Sequence, residues 1–141
     1  MMFGTTAKIL RVDLTTAAWE VEELTEDFYR LYPGGKALAG YILLNELPAH
    51  TDALSPQNIL VAAAGLLTGA PLSTSNRYII SARSPLTNAY GESEAGGFWG
   101  PELKMAGFEA VVIKGRAPKP VYLWIQDGEV EIRPAGHLWG R

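Results

Sequence analysis

The run Ile59 to Ala64, ILVAAA, is the longest unbroken apolar stretch in the chain, and it limits the possible folds more than any other feature. A strand with no polar alternation carries apolar side chains on both faces, so it reads as a strand buried on both sides. The segments around it are patterned differently. Lys8 to Leu14, KILRVDL, alternates, with Ile9 and Arg11 on one side and Leu10, Val12 and Leu14 on the other. Thr15 to Ala18 turns, and Trp19 to Glu23 alternates again with Trp19 and Val21 inward, which predicts an antiparallel hairpin. Near the other end, Val121 to Ile125 and Glu129 to Arg133 flank Asp127-Gly128 and predict a second hairpin with Val130 and Ile132 inward.

Helical signals lie between the hairpins. Thr25 caps a short helix whose first turn carries Glu26 and Asp27, and Pro33-Gly34-Gly35 stops it. Lys36 to Leu47, KALAGYILLNEL, is apolar on nearly every face, so a well-buried helix is expected there, ended by Pro48. Tyr78 to Ala82 reads as a strand. Gly100-Pro101 opens a third helix with proline at its first position, Gly107 closes it, and Glu109 to Ile113 is a further strand. Six to eight strands, three short helices and hairpins at both ends predict an α+β fold with mixed and antiparallel sheets. No repeat, low-complexity tract or linker divides residues 1–141, so they are expected to form one domain.

Composition narrows the function. In 141 residues, 12 Lys and Arg stand against 15 Asp and Glu, for a formal net charge of -3 without a basic run, so nucleic acid is not an expected partner. Without cysteine, the chain has no disulfide, thiolate-bound zinc, iron-sulfur ligation or cysteine nucleophile of its own. His50 and His137 read as loop histidines, and no metal site is expected. No signal peptide or membrane-spanning run is visible, which suits a cytoplasmic protein with no membrane partner.

The densest chemistry lies between Ser75 and Gly115. Arg77 precedes a strand, Tyr90 to Gly97 reads as a loop running into the paired Gly96-Gly97, and a helix start follows. An arginine, bare backbone and a helix N-terminus together suit an anionic group, most naturally a phosphate. Glu92 and Glu94 would share one side if extended, which fits either acid-base work or a solvated edge. Gly34-Gly35-Lys36 lacks the spacing and the Ser or Thr of a phosphate loop, so it reads as a tight turn into a helix. Gly65 to Pro71 is a glycine-rich loop at the C-terminal end of the apolar strand, read as a wide turn.

Together the segments KILRVDLTT, PGGKALAGYILLNEL, LSPQNILVAAAGLLTGAP, NRYIISARSPLT, AGGFWGPELKMAGFEAVVIKGRAPKPVYLWI and the closing HLWG resemble the N-terminal domain of tungsten-containing aldehyde ferredoxin oxidoreductases. The resemblance covers nearly the whole chain. It implies a domain that forms a base beneath a tungsten bis-pterin (molybdopterin-type) cofactor whose phosphates are bridged by magnesium. It also implies that Arg77, Glu94, Ala95, Gly96 and Gly97 bind that cofactor and that this chain holds no catalytic residue. Some family members carry asparagine at the position of Glu94. The family oxidises aldehydes to carboxylic acids and passes electrons through a [4Fe-4S] cluster to ferredoxin, with the cluster in later domains. The expected partners are those domains or a separate large subunit, with ferredoxin as acceptor and a homodimer admitted; this piece alone would be inactive. The alternatives are a stand-alone module binding pterin or a phosphorylated ligand, a structural subunit, and a hydrolase using Glu92 and Glu94, for which no positioned nucleophile is visible.

Overall fold

The computed structural model describes residues 5–141. Strands β1 (Lys8–Asp13) and β2 (Ala18–Glu23) form the N-terminal hairpin, followed by helices α1 (Glu26–Leu31) and α2 (Gly35–Glu46). Next come β3 (Leu60–Ala64), β4 (Tyr78–Arg83), β5 (Tyr90–Ala95), α3 (Trp99–Met105) and β6 (Ala110–Lys114), and then the hairpin β7 (Val121–Gln126) and β8 (Glu129–Pro134). Six strands make one sheet in the order β2-β1-β6-β3-β4-β5, while β7 and β8 pair only with each other. β1 and β6 run parallel, and every other neighbouring pair is antiparallel. The fold is α+β, with eight strands and three helices among the described residues.

β3 lies inside the sheet between β6 and β4, as its apolar composition requires, and Val61 to Ala64 are buried. Alternation sorts the side chains into two cores. Ile9, Val61, Ala63, Ile79, Ala110 and Val112 face α2, whose Leu38, Ala39, Ile42 and Leu43 cover them. Leu10, Val12 and Val111 face the other way, against Leu103 of α3, Phe108, and Val130 with its neighbours in the β7–β8 hairpin. The same residues thus satisfy the period of two in the strands and the wider apolar stripe of the helix. Leu38→Ala is expected to destabilise the chain by about 2–5 kcal/mol in urea denaturation, because Leu38 is fully buried in the first core. Leu44→Ala, on the exposed side of the same helix, should change stability by about 0.5 kcal/mol or less.

Four sequence expectations need correction. Trp19 and Val21 do share a face with Val12 and Leu10, but β2 is the rim of the sheet and both side chains stay exposed, at 44% and 40%. α2 is buried on one side only, with Leu44 at 86% exposure. Tyr90 to Ala95 is not a loop but an edge strand paired with β4 along its length, from Tyr78↔Ala95 to Arg83↔Tyr90. Its glycine, serine and two glutamates have low strand propensity, and the ladder to β4 outweighs that preference. Finally, α3 begins at Trp99, so Pro101 is its third residue; a missing N–H is still harmless there, since the first turn has no intrahelical acceptors.

Several local predictions hold in detail. The Thr25 side chain accepts from the Phe28 backbone N–H at 3.2 Å and caps α1. After α3 the chain takes a Schellman turn at Gly107 (φ +100°): Gly107 N–H donates to Lys104 O and Phe108 N–H to Leu103 O. The turn places Phe108 and Leu103 together in the second core.

Candidate anion and cofactor site

Strand directions decide which residues meet. Because β3 ends where β4 begins, and β5 ends where β6 and β1 begin, one edge of the sheet gathers Ala64-Gly65, Arg77, Ala95-Gly96-Gly97, Glu109 and Lys8. A β-bridge between Gly34 and Gly65 brings the N-terminus of α2 to the same edge. Gly100 of α3 arrives there too, close to Thr68 and Tyr78, with the Trp99 and Tyr78 rings 4.6 Å apart.

Arg77 sits on a firmly tied backbone. Its N–H and C=O both meet the buried Thr68 hydroxyl, and its C=O also accepts from Gly65 N–H at 2.9 Å. The neighbouring Asn76 side chain accepts from Gly69 N–H at 3.1 Å. The Gly65 to Pro71 loop is therefore more than a wide turn, since it latches the backbone of the arginine and the two residues before it. The loop is held in turn by Lys104, which donates to Leu66 O at 2.9 Å.

The Arg77 guanidinium lies across Gly96. A Cβ at residue 96 would fall 2.5 Å from Arg77 Nη1 and 3.3 Å from the Asn76 carbonyl oxygen, so only glycine leaves the arginine where it is. Gly97 takes φ +90° with open space beside it, again a backbone state natural to glycine. Arg77 Nε lies 3.3 Å from Glu94 Oε1, and about half of the arginine side chain stays exposed. Ala95, the last residue of β5, pairs with Tyr78 next to Arg77.

Lys36, which in sequence reads only as part of a tight turn into a helix, joins the site. The Gly34-Gly35 turn starts α2 as expected, yet it also delivers Lys36 Nζ to 2.8 Å from Glu92 Oε1 and 3.6 Å from Glu94 Oε2. Tyr90 OH donates to Glu92 Oε2 at 2.9 Å, and Ser81 Oγ lies 2.8 Å from the same phenol oxygen. The Lys36 bond holds the Glu92 carboxyl below its ordinary range, and Glu92 holds the Lys36 ammonium above its own. The pair therefore stays charged at neutral pH; it is lost as pH falls through the lowered glutamate value or rises through the raised lysine value. Glu92 and Glu94 do share one face of β5, as the period of two implies, but both meet cations rather than forming an isolated acid-base pair. A lysine in the first turn of a helix opposes the helix dipole, and that mismatch was a readable sign of a nearby anion.

Among the described residues, no cluster of three or more His, Cys, Asp or Glu is placed to hold a metal ion, and no helix is long and apolar enough to cross a membrane. The chemistry available at this edge is anion recognition: a tethered guanidinium, an ammonium, and glycine backbone open to close approach.

The fold and the sequence together define an oxidoreductase domain: the chain belongs to the aldehyde ferredoxin oxidoreductase family, matching the description "Aldehyde ferredoxin oxidoreductase, N-terminal domain" over residues 9–141. It is 44% identical over 140 residues to the tungsten-containing aldehyde ferredoxin oxidoreductase of Pyrococcus furiosus and 42% identical to that of Thermococcus kodakarensis, in each case over 99% of this chain. It is also 38% identical to the WOR-like subunit of an aliphatic sulfonate oxidoreductase of Pyrococcus furiosus. Among solved structures it superposes with a TM-score of 0.96 and 41% identity on a chain of the active-site complex BamBC of benzoyl coenzyme A reductase, covering 99% of this chain and 21% of that one. The chain spans 23% of the length of the two aldehyde oxidoreductases, so those proteins carry much that lies beyond this domain.

Proposed function

We propose that this domain forms one wall of the binding site for a tungsten bis-pterin cofactor in an oxidoreductase that converts aldehydes to carboxylic acids. The observation that carries the reading is the Arg77 guanidinium spread across the bare backbone of Gly96 at the gathered edge of the sheet. In this reading Arg77, Glu94, Ala95, Gly96 and Gly97 make the strip that faces the cofactor. Arg77 holds a phosphate, and the two glycines let backbone approach the flat pterin closely. The bound cofactor supplies two-electron redox chemistry at its metal. This chain's part is to position it, while a bridging magnesium, the [4Fe-4S] cluster, ferredoxin docking and the substrate channel belong with the rest of the enzyme.

The relatives support assigning cofactor binding, rather than substrate choice, to this domain. The same domain recurs at 38–44% identity in proteins named for aldehydes, an aliphatic sulfonate and benzoyl coenzyme A. A part shared across such different substrates is best explained by a shared cofactor. The aldehyde assignment itself rests on the higher identity to the aldehyde oxidoreductases.

The test is the tungsten and pterin content of the purified enzyme containing this domain and its remaining domains or subunit. Arg77→Gln should lower occupancy about 10- to 100-fold at limiting cofactor, from the loss of a charge-assisted bond worth about 1.5–3 kcal/mol. Gly96→Ala should lower it as well, because its methyl group takes the space of the guanidinium. Full cofactor content in both variants would refute the proposal.

A further inference from the structure

The two cations at the site are not free, because each touches a different oxygen of one carboxylate. Arg77 Nε is 3.3 Å from Glu94 Oε1, and Lys36 Nζ is 3.6 Å from Glu94 Oε2. The Glu94 carboxylate thus lies between a guanidinium and an ammonium, the position that a phosphate oxygen pair would take. We propose that Glu94 is a built-in occupant of the anion site, that Lys36 is the site's second ligand-binding cation, and that an incoming phosphate monoester or diphosphate displaces the Glu94 carboxylate from between them. The inference rests on the proposed cofactor reading, since it takes Arg77 as a phosphate-binding residue.

Three features make the exchange workable. First, Lys36 does not depend on Glu94 for its place. Its shorter bond is to Glu92 at 2.8 Å, and Glu92 is fixed from the other side by Tyr90 OH. When Glu94 leaves, Lys36 therefore stays aimed at the site. Second, Glu94 is held loosely: it sits on an edge strand, its side chain is 43% exposed, and its two contacts are long for ion pairs. Exposed pairs of this kind contribute little to stability, so the cost of displacement is small. Third, the charges balance. Arg77 and Lys36 offset Glu92 and Glu94 without ligand, and release of Glu94 to solvent leaves both cations beside the incoming anion. Glu92 stays beside Lys36, so the site without Glu94 carries one net positive charge, and it attracts a phosphate dianion more strongly than a singly charged anion.

The experiment titrates inorganic phosphate and inorganic pyrophosphate into the 141-residue chain at low ionic strength, by calorimetry and by the NMR shift of the Arg77 Nε–Hε group. Glu94→Gln should bind phosphate about tenfold more tightly than the parent chain, because the competing charge is gone. Lys36→Gln should bind about tenfold more weakly, and Lys119→Gln, which removes the same charge from an exposed position outside the site, should leave affinity unchanged. Circular dichroism of each variant confirms that the fold persists.

The other outcomes separate the two claims. If Arg77→Gln weakens phosphate binding while Glu94→Gln and Lys36→Gln change nothing, the exchange is overturned and the cofactor reading stands. If Lys119→Gln weakens binding as much as Lys36→Gln, the effect is bulk charge and the exchange is likewise overturned. If Arg77→Gln has no effect, or if no form of the chain binds either anion, both claims fall.

Discussion

Replacing Glu109 with leucine is expected to destabilise the chain by about 3–5 kcal/mol, the cost of breaking a buried ionic network by removing one partner. Glu109 is fully buried, and its carboxylate joins four parts of the chain. Thr5 Oγ1 and Thr6 N–H donate to Oε1 at 2.6 and 2.8 Å, Tyr29 OH of α1 donates to Oε2 at 2.9 Å, and Lys104 Nζ of α3 lies 3.4 Å away. Leucine would leave the Thr5, Thr6 and Tyr29 donors without this acceptor and take the carboxylate away from Lys104, whose side chain is only 12% exposed and whose ammonium would keep only the Leu66 carbonyl. Glu109→Gln keeps the shape and some hydrogen bonds, so about 1–3 kcal/mol is expected, measured for both variants by urea denaturation. The effect should extend to the candidate site, because Lys104 also holds the Leu66 carbonyl of the loop that tethers Arg77. Burial, followed by the Glu109 charge, pushes the Tyr29 phenol well above its ordinary value of 10.0. The neutral phenol is thus favoured in the folded state, and this contribution is complete below pH 10 and declines as pH rises further. Tyr29→Phe should remove that alkaline loss from the pH profile of stability.

Gly34→Ala is the second substitution expected to act strongly, at roughly 2–4 kcal/mol, through backbone strain combined with a steric clash. Gly34 takes φ 74° and ψ -172°, a region open in practice to glycine alone. A Cβ there would lie 2.6 Å from the carbonyl oxygen of Ala64, a backbone atom of the central strand that cannot turn aside. Relief requires the start of α2 to move off the end of β3, breaking the Gly34–Gly65 bridge and withdrawing Lys36 from Glu92 and Glu94. The measurement is a paired one: denaturation for the stability loss, and phosphate titration for the accompanying change at the site. Gly69→Ala is the contrast, since Gly69 also has positive φ, at 87°, but an added Cβ meets nothing within 4 Å. Its cost should be the conformational strain alone, about 1 kcal/mol.

Much of the fold was legible in local sequence. Periodicity of two located β1, β2, β4 and β8, short apolar or aromatic runs located β6 and β7, the ILVAAA run located β3 inside the sheet, and Thr25 and Gly107 marked helix ends that the structure places where their chemistry requires. β5 was not legible, because a solvent-facing edge strand needs no apolar alternation and is fixed by its hydrogen bonds to β4. The exposure of Trp19 and Val21 was hidden for a related reason: alternation shows which face a side chain takes, not whether another layer covers that place.

The site divides along the same line. By itself the sequence determined that Arg77 precedes a strand, that Gly96-Gly97 precede a helix start, and that the chain has no thiolate for a metal or cluster; residue type and spacing are local properties, and the chain carries them wherever it folds. Only the tertiary structure decided that Arg77 lies over Gly96, that Lys36 crosses from α2 to reach β5, and that Glu109 ties α1, α3 and residues 5–6 to the same edge. These contacts join residues far apart in sequence, and they exist because the directions of five strands bring their ends to one edge of a single sheet.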